Sequence, residues 1–306
     1  MFRYTLHRLL TAIPTLFLLV SLAFFMIRAA PGGPFDTEKK LAPEITKNLN
    51  RIYHLDEPLL IQYGRYLRSI LQGDLGPSFQ YQEYTVNELI CLGFPISLQL
   101  GLSAIVLAVV IGCSLGIVAA LKQHSTTDHA VMTVAMGGIS IPNFVVAPLL
   151  ILFFGVYLDW LPAGGWEVGI RYKILPIIAL ALPQIAYIAR LMRSSMIEVL
   201  HAPYIRTARA KGMPNRIIIF RHSLRPAFLP VLSYLGPATA GIITGSVVIE
   251  QIFGLPGIGR YFVQGALNRD YTLVMGVVIF YGALIILFNF IADLLYAVLD
   301  PKVVYD

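Results

Sequence analysis

The residues of this 306-residue chain that could do chemistry crowd into one stretch. Between positions 190 and 226 stand Arg190, Arg193, Arg206, Arg209, Lys211, Arg216, Arg221 and Arg225, eight of the 23 basic residues, against the single acid Glu198. Within it, Pro203 suits the first position of a helix and Gly212 the position just past its end, an asymmetry that predicts a short helix between them. Lys211, near that end, favours the negative pole of the helix dipole. Pro214 is placed to open a second helix and Pro226 to end it. Arg206 and Arg209, three apart, share one face of the first helix, and Ile205 and Ala208 another. A stubby helix of that kind can dock in the groove of a protein partner or rest on anionic lipid headgroups.

Other chemistries find no residues to carry them. No G-x-x-x-x-G-K followed by Ser or Thr occurs, so a nucleotide phosphate loop is not expected. The glycine-rich run 253–259 follows no strand and reads as a turn. His7, His54, His124, His129, His201 and His222 show no metal-ligand spacing, and no metal site is expected. Cys91 and Cys113 would stand about 33 Å apart on one helix, so two free thiols are expected.

The elements that must position the basic stretch are written in the composition. Of the residues 57% are hydrophobic and 13% charged, and the mean hydropathy is +0.72. A soluble domain carries about 25% charged residues, so a water-exposed globule, a disordered chain, a nucleic-acid-binding domain and a disulfide scaffold are excluded. Six runs carry no Asp, Glu, Lys, Arg or His: 9–27, 98–121, 130–158, 174–189, 227–249 and 273–292. A span needs about 20 apolar residues, and strand-period alternation is absent. The expected fold is therefore all-α, a polytopic membrane protein with six transmembrane helices. The fourth run is short and is expected to continue past Arg190 along an apolar face. The first exceeds a signal-peptide core and has Arg28 at the would-be cleavage site, so it is expected to be retained.

Counting Lys and Arg fixes the expected topology. Residues 1–8 face the cytoplasm and 9–27 form the first span. An outside segment 28–93 follows, then spans at 98–121, 130–158 and 174–189. The inside loop 190–226 precedes spans 227–249 and 273–299, which flank an outside loop 250–272. The membrane domain proper covers about 94–300. Both termini are expected on the cytoplasmic side.

Helices in lipid associate through small residues. Ala104, Ala108, Gly112, Gly116 and Ala120 recur at every fourth position, as do Ser233, Pro237, Gly241 and Gly245, and each stripe predicts a close helix contact. Asn143, Gln184 and Asn289 are polar residues inside spans; they either line a pathway or hydrogen-bond between helices. Asp, Glu, Lys, Arg and His are absent from all six runs, whereas carriers driven by protons or sodium keep such residues there. A secondary carrier, a stand-alone channel or a mere scaffold is thus a weaker reading than a subunit whose energy comes from another chain.

The stretch Tyr204-Ile-Arg-Thr-Ala-Arg-Ala-Lys-Gly212 resembles the coupling loop of the permeases of binding-protein-dependent ABC importers, in its peptide-transporter form. The likeness extends along the chain. In order come Arg8-Leu9, Ala30-Pro-Gly-Gly-Pro34, Tyr53-His-Leu-Asp-Glu-Pro58 and Gly73-Asp-Leu-Gly76. Then follow Glu250, Gly254-Leu-Pro-Gly-Ile-Gly259, Asn268-Arg-Asp-Tyr271 and Asp300-Pro-Lys302. The match is most similar to the oligopeptide permeases of Gram-negative bacteria. The resemblance implies the type I importer fold, the bacterial inner membrane as the location and a chain that is not itself an enzyme. It implies a second homologous permease, two cytoplasmic ATPase subunits that bind ATP and Mg, and a periplasmic binding protein that delivers peptide. It implies that Tyr204, Arg206, Thr207, Ala208, Arg209, Lys211 and Gly212 contact an ATPase, and that the two outside segments, with Gln80, Gly257 and Arg260, receive the binding protein. Arg206 and Thr207 stand where the general pattern has Glu and Ala, which bears on which ATPase is recognised. Dipeptide, cell-wall or antimicrobial peptide and nickel permeases are similar enough to leave the solute open.

Overall fold

The computed structural model describes residues 2–29, 33, 43–81 and 83–299, and among them the regular structure is helical, with one isolated bridge between Pro77 and Thr85. The motif at 300–302, and that at 30–34 apart from Gly33, lie outside the described residues. The helices in order are α1 (Phe2–Ala29), α2 (Pro43–Ile52), α3 (Leu59–Leu71), α4 (Val86–Leu121), α5 (Thr126–Ser140) and α6 (Asn143–Leu150). They continue as α7 (Arg171–Leu200), α8 (Pro203–Ala210), α9 (Asn215–Ile217), α10 (Leu224–Gly245), α11 (Val247–Phe253), α12 (Ile258–Leu267) and α13 (Tyr271–Leu299). Among the described residues, five stretches are long and apolar enough to cross a membrane: Leu10–Ala29, α4, α7, Asn215–Thr244 and Tyr271–Leu295.

A bent pair of helices makes a sixth when the two are counted as one span. α5 and the helix Asn143–Tyr157 meet at a bend of 102°. The cause is local: Pro142 disfavours the helical conformation at Ile141, whose φ and ψ are −91° and 118°. α5 therefore stops at Ser140, and the run 130–158 is a broken pair rather than one straight helix. Pro226 departs from expectation in the other direction. It does not end a helix, because the chain from Asn215 to Gly245 is continuously helical and widens into π turns over Ile218–Ser223. The wider turn just before Pro226 accommodates a residue that has no N–H to donate. As expected, α7 continues past Arg190 to Leu200.

The chain divides into two compact units, residues 1–96 with 256–284, and 97–255 with 285–306. The first unit has a core of Val86, Leu89, Ile90, Ile258, Leu273 and Val277, with Phe94 and Phe280 edge to face at 5.0 Å beside it. Fully buried Asp270 ties two of its loops together. One carboxylate oxygen accepts from the Ser78 hydroxyl at 2.5 Å and from the Gln80 backbone N–H at 3.0 Å. The other accepts from the Leu273 N–H and the Thr272 hydroxyl, both at 3.0 Å, and so caps α13.

In the second unit α4 lies along α7 through the 104–120 stripe. Ala104 and Ala108 are fully buried and Ala120 is 4% exposed. A Cβ placed on Gly116 would stand 2.6 Å from the Ala189 carbonyl oxygen and 2.7 Å from the Met192 Cβ. One on Gly112 would stand 2.9 Å from the Ile185 carbonyl oxygen. The 233–245 stripe behaves otherwise: Ser233, Pro237 and Gly241 are exposed, with no atom near Gly241, and Gly245 ends α10. Cys91 and Cys113 are free thiols, both on α4.

Candidate functional site

α8 begins as its sequence directs. Ala202 is extended, Pro203 takes the first helical position, and the Thr207 hydroxyl donates to the Pro203 carbonyl at 3.2 Å. Its end is a complete Schellman motif. The Gly212 N–H donates to the Arg209 carbonyl at 3.0 Å and the Met213 N–H to the Ala208 carbonyl at 3.2 Å. Gly212 supplies the left-handed conformation the motif needs, φ +72°, with nothing within 4 Å of its would-be Cβ.

The same turn packs the helix down. Fully buried Ile205 and nearly buried Ala208 sit on Ile218, with Ala202 and Met213 beside them. Tyr204, Arg206, Thr207, Arg209, Lys211 and Gly212 face outward. Ala208, expected among the contact residues, instead belongs to the seat. Beside the helix lies an open depression bordered by Gln123, His201, Arg209 and Asn215. The arrangement is a cationic, hydrogen-bonding knob between the end of α7 and Ile218, on which its apolar face is seated.

The element carrying the knob is itself braced. Asp128, 1% exposed, accepts from Arg193 of α7 through both oxygens, at 2.5 Å from Nε and 2.7 Å from the terminal nitrogen. It also accepts from the His124 backbone N–H at 3.0 Å. The pair fastens the first turn of α5 to α7. The residue signal for it is Ser125-Thr-Thr-Asp128, a helix-start pattern in which Ser125 caps the Asp128 N–H. Nothing in sequence spacing gives Arg193 as the partner 65 positions away.

Deeper in the second unit, Glu250 of α11 is fully buried and accepts from the hydroxyls of Ser97 at 2.7 Å and Ser246 at 2.5 Å. Of the three polar span residues, Gln184 accepts from the Tyr234 hydroxyl at 2.5 Å, and Tyr234 stacks on Tyr187 at 4.5 Å. It is thus a helix-to-helix contact. Asn143 and Asn289 each keep a buried side-chain oxygen without a partner.

On the candidate docking side, Gln80 and Arg260 are exposed, and their neighbours Tyr81 and Tyr261 meet edge to face at 5.8 Å. Burial, then the adjacent Tyr261, holds the Tyr81 hydroxyl above its ordinary range. Gly257 is buried. A Cβ on Gly93 would stand 3.1 Å from its carbonyl carbon, so Gly257 shapes the turn and offers no surface.

Comparison with known proteins agrees along the full chain. Residues 112–305 match the model of the binding-protein-dependent transport system inner membrane component, and residues 1–103 match that of its N-terminal region. The oligopeptide transport system permease protein OppB of Salmonella typhimurium is 58% identical over 306 residues, covering all of both chains. The dipeptide transport system permease protein DppB of Bacillus subtilis is 46% identical over 303 residues, 99% of this chain and 98% of that one. Among solved structures, an inward-facing MetNI methionine ABC transporter chain superposes with a TM-score of 0.60 at 18% identity, covering 69% of this chain and 96% of its own. The fold is thus that of ABC importer permeases. The chain belongs to the family of binding-protein-dependent transport system inner membrane components, as a multi-pass membrane permease.

Proposed function

We propose that this permease carries oligopeptides across the bacterial inner membrane as one subunit of an ATP-driven importer. The observation that carries the coupling half of this reading is α8. Its inner face is locked to Ile218 while Arg206, Arg209 and Lys211 project outward. A partner ATPase pressing on that face would move the ends of α7 and α10 together. The solute half rests on the 58% identity to a permease named for oligopeptide transport.

In this reading the chain pairs with a second homologous permease, and ATP and Mg bind only to two ATPase subunits beneath. The eight basic residues of 190–226 support a cytoplasmic position for α8 and for both termini. A periplasmic peptide-binding protein then meets the opposite side, at Gln80 and Arg260. Contacts of Tyr204, Arg206, Thr207, Arg209, Lys211 and Gly212 with the ATPase carry the coupling. A dipeptide specificity is the second reading, favoured by the 46% identity to a dipeptide permease.

Two measurements test it. Co-purified complex should hydrolyse ATP faster when loaded binding protein carries oligopeptides than when it carries dipeptides; the reverse order selects the second reading. Gly212→Val forces a β-branched residue to positive φ, costing about 1–2 kcal/mol locally in open space. The variant should insert normally yet lose both uptake and stimulated ATP hydrolysis. Full uptake by that variant would refute coupling through α8.

A further inference from the structure

The first unit contains a cavity of about 200 Å³ that the transport reading does not use. It is lined by the end of α1, the inner face of α3 and the loop before α4, and its walls include Phe24, Tyr53 and Phe79. Three polar groups in its lining are left over. Arg28 has a buried Nε with no partner, its guanidinium resting 5.5 Å over the Phe24 ring and 5.8 Å over the Tyr271 ring. The Tyr66 hydroxyl is buried without a partner. The Gln62 side-chain oxygen is likewise unpartnered, although its nitrogen donates to the Leu55 and Glu57 carbonyls at 3.1 and 2.7 Å. The other basic side chains nearby have partners, since Arg65 and His54 both meet Glu57, at 2.7 and 3.2 Å.

Buried polar groups left without partners are costly, so their chemistry describes what fills the space. A cation and a hydroxyl donor call for an anion. A separate orphan acceptor calls for a donor on the same ligand. Aromatic walls call for an apolar continuation. The site also lies at a defined depth, because Arg28 is one residue from the end of the span Leu10–Ala29. The helix that supplies Gln62 and Tyr66 shows a different character on its other side, where Leu60 is 76% and Leu71 88% exposed. A short helix with an exposed apolar face beside Arg68, at the end of a span, fits the plane of a membrane interface.

We propose that this cavity binds the headgroup of a membrane glycerophospholipid, with the phosphate on Arg28 and Tyr66 and a terminal hydroxyl or ammonium donating to Gln62. The acyl chains then run along the exposed apolar side of α3. Bound lipid holds α3 to the end of α1, and it does so whatever solute the transporter carries.

The test uses the purified transporter complex with its partner subunits, delipidated in detergent and back-titrated with phosphatidylglycerol, glycerol 3-phosphate, inorganic phosphate or a short peptide. Bound species are counted by mass spectrometry of the intact complex. The wild-type complex should retain phospholipid and ignore the other three. Tyr66→Phe, which preserves packing, should weaken retention about tenfold, and Arg28→Gln more, because hydrogen bonds to charged groups are the stronger class. Arg28→Lys should recover part of the loss, which a misfolded variant would not. A photoactivatable phospholipid should label the chain near Tyr53 or Phe79. Equal retention by wild type and Tyr66→Phe overturns the proposal, as does saturation by glycerol 3-phosphate or phosphate alone, or binding of the peptide in place of lipid.

Discussion

Two helices of the second unit carry small residues at every fourth position, and they use them in opposite ways. On α4 the stripe from Ala104 to Ala120 is buried, and the backbone of α7 comes so close to Gly112 and Gly116 that no Cβ fits. On α10 Ser233, Pro237 and Gly241 face outward with open space at Gly241. Small residues let backbones approach, which is the main source of helix association in lipid. The periodic pattern therefore marks a face prepared for contact. On α4 the contact is made within the chain, and on α10 the face stays open.

The largest effect should come from filling the buried stripe. Gly116→Leu pushes a side chain into the Ala189 carbonyl and the Arg193 N–H, backbone atoms that cannot step aside. Overpacking costs about 1–3 kcal/mol, and clashing backbone puts this case at the upper end. Detergent-extracted chain should give little folded protein, seen as early elution and a collapsed melting transition. Gly241→Leu is the matching change on the open stripe. It should leave the melting temperature of the isolated chain unchanged while reducing recovery of the second permease subunit in a co-purification. If Gly241→Leu destabilises the isolated chain as much as Gly116→Leu, the contrast between the stripes is gone.

That contrast also shows where sequence reading stops. Helix identity and the brackets of α8 are legible because they depend on local rules: apolar runs, Pro203 at a start, Gly212 at positive φ past an end. The early start of α4 at Val86 is hidden by Glu88, Asn87 and their neighbours, which look like loop residues. Tertiary burial of Val86, Leu89 and Ile90 decides it. Pro142 and Pro226 look equivalent in the sequence, yet one breaks a helix and the other is absorbed by π turns. Spacing separates the Arg206–Arg209 face of α8 from the Ile205–Ala208 face, but it does not show that Ile218 of the next element buries the second. Long-range pairs such as Asp128 with Arg193 leave no periodic trace.

A middle-sized effect belongs to that pair. Arg193 lies on α7 beside the stripe contact, and its backbone N stands 3.0 Å from where a Gly116 Cβ would be. Asp128→Asn keeps the shape but removes the charge that accepts both Arg193 bonds. Hydrogen bonds to charged groups contribute about 1.5–3 kcal/mol when buried, and Arg193 keeps some solvent access, so a loss of about 1.5 kcal/mol is expected. The melting temperature of the purified chain should fall clearly but remain above that of Gly116→Leu. A fall equal to that of Gly116→Leu would mean the ion pair, and not close packing, holds α7 in place.

The smallest effect should come from Tyr234, which stands on α10 one position from exposed Ser233 and donates to Gln184 on α7. It touches both sides of the contrast: its hydroxyl makes an intrachain contact, while the neighbouring residue faces out. Tyr234→Phe deletes one neutral hydrogen bond and keeps the ring stacked on Tyr187. A bond of that class contributes about 1 kcal/mol, and the orphaned Gln184 oxygen adds to the loss only where water cannot reach it. The expected outcome is a slightly lower melting temperature with an unchanged range of transported peptides. An unchanged melting temperature together with an altered peptide range would move Gln184 from helix contact to pathway wall. It would also place the boundary between inward and outward use of α10 at Tyr234 rather than at Ser233.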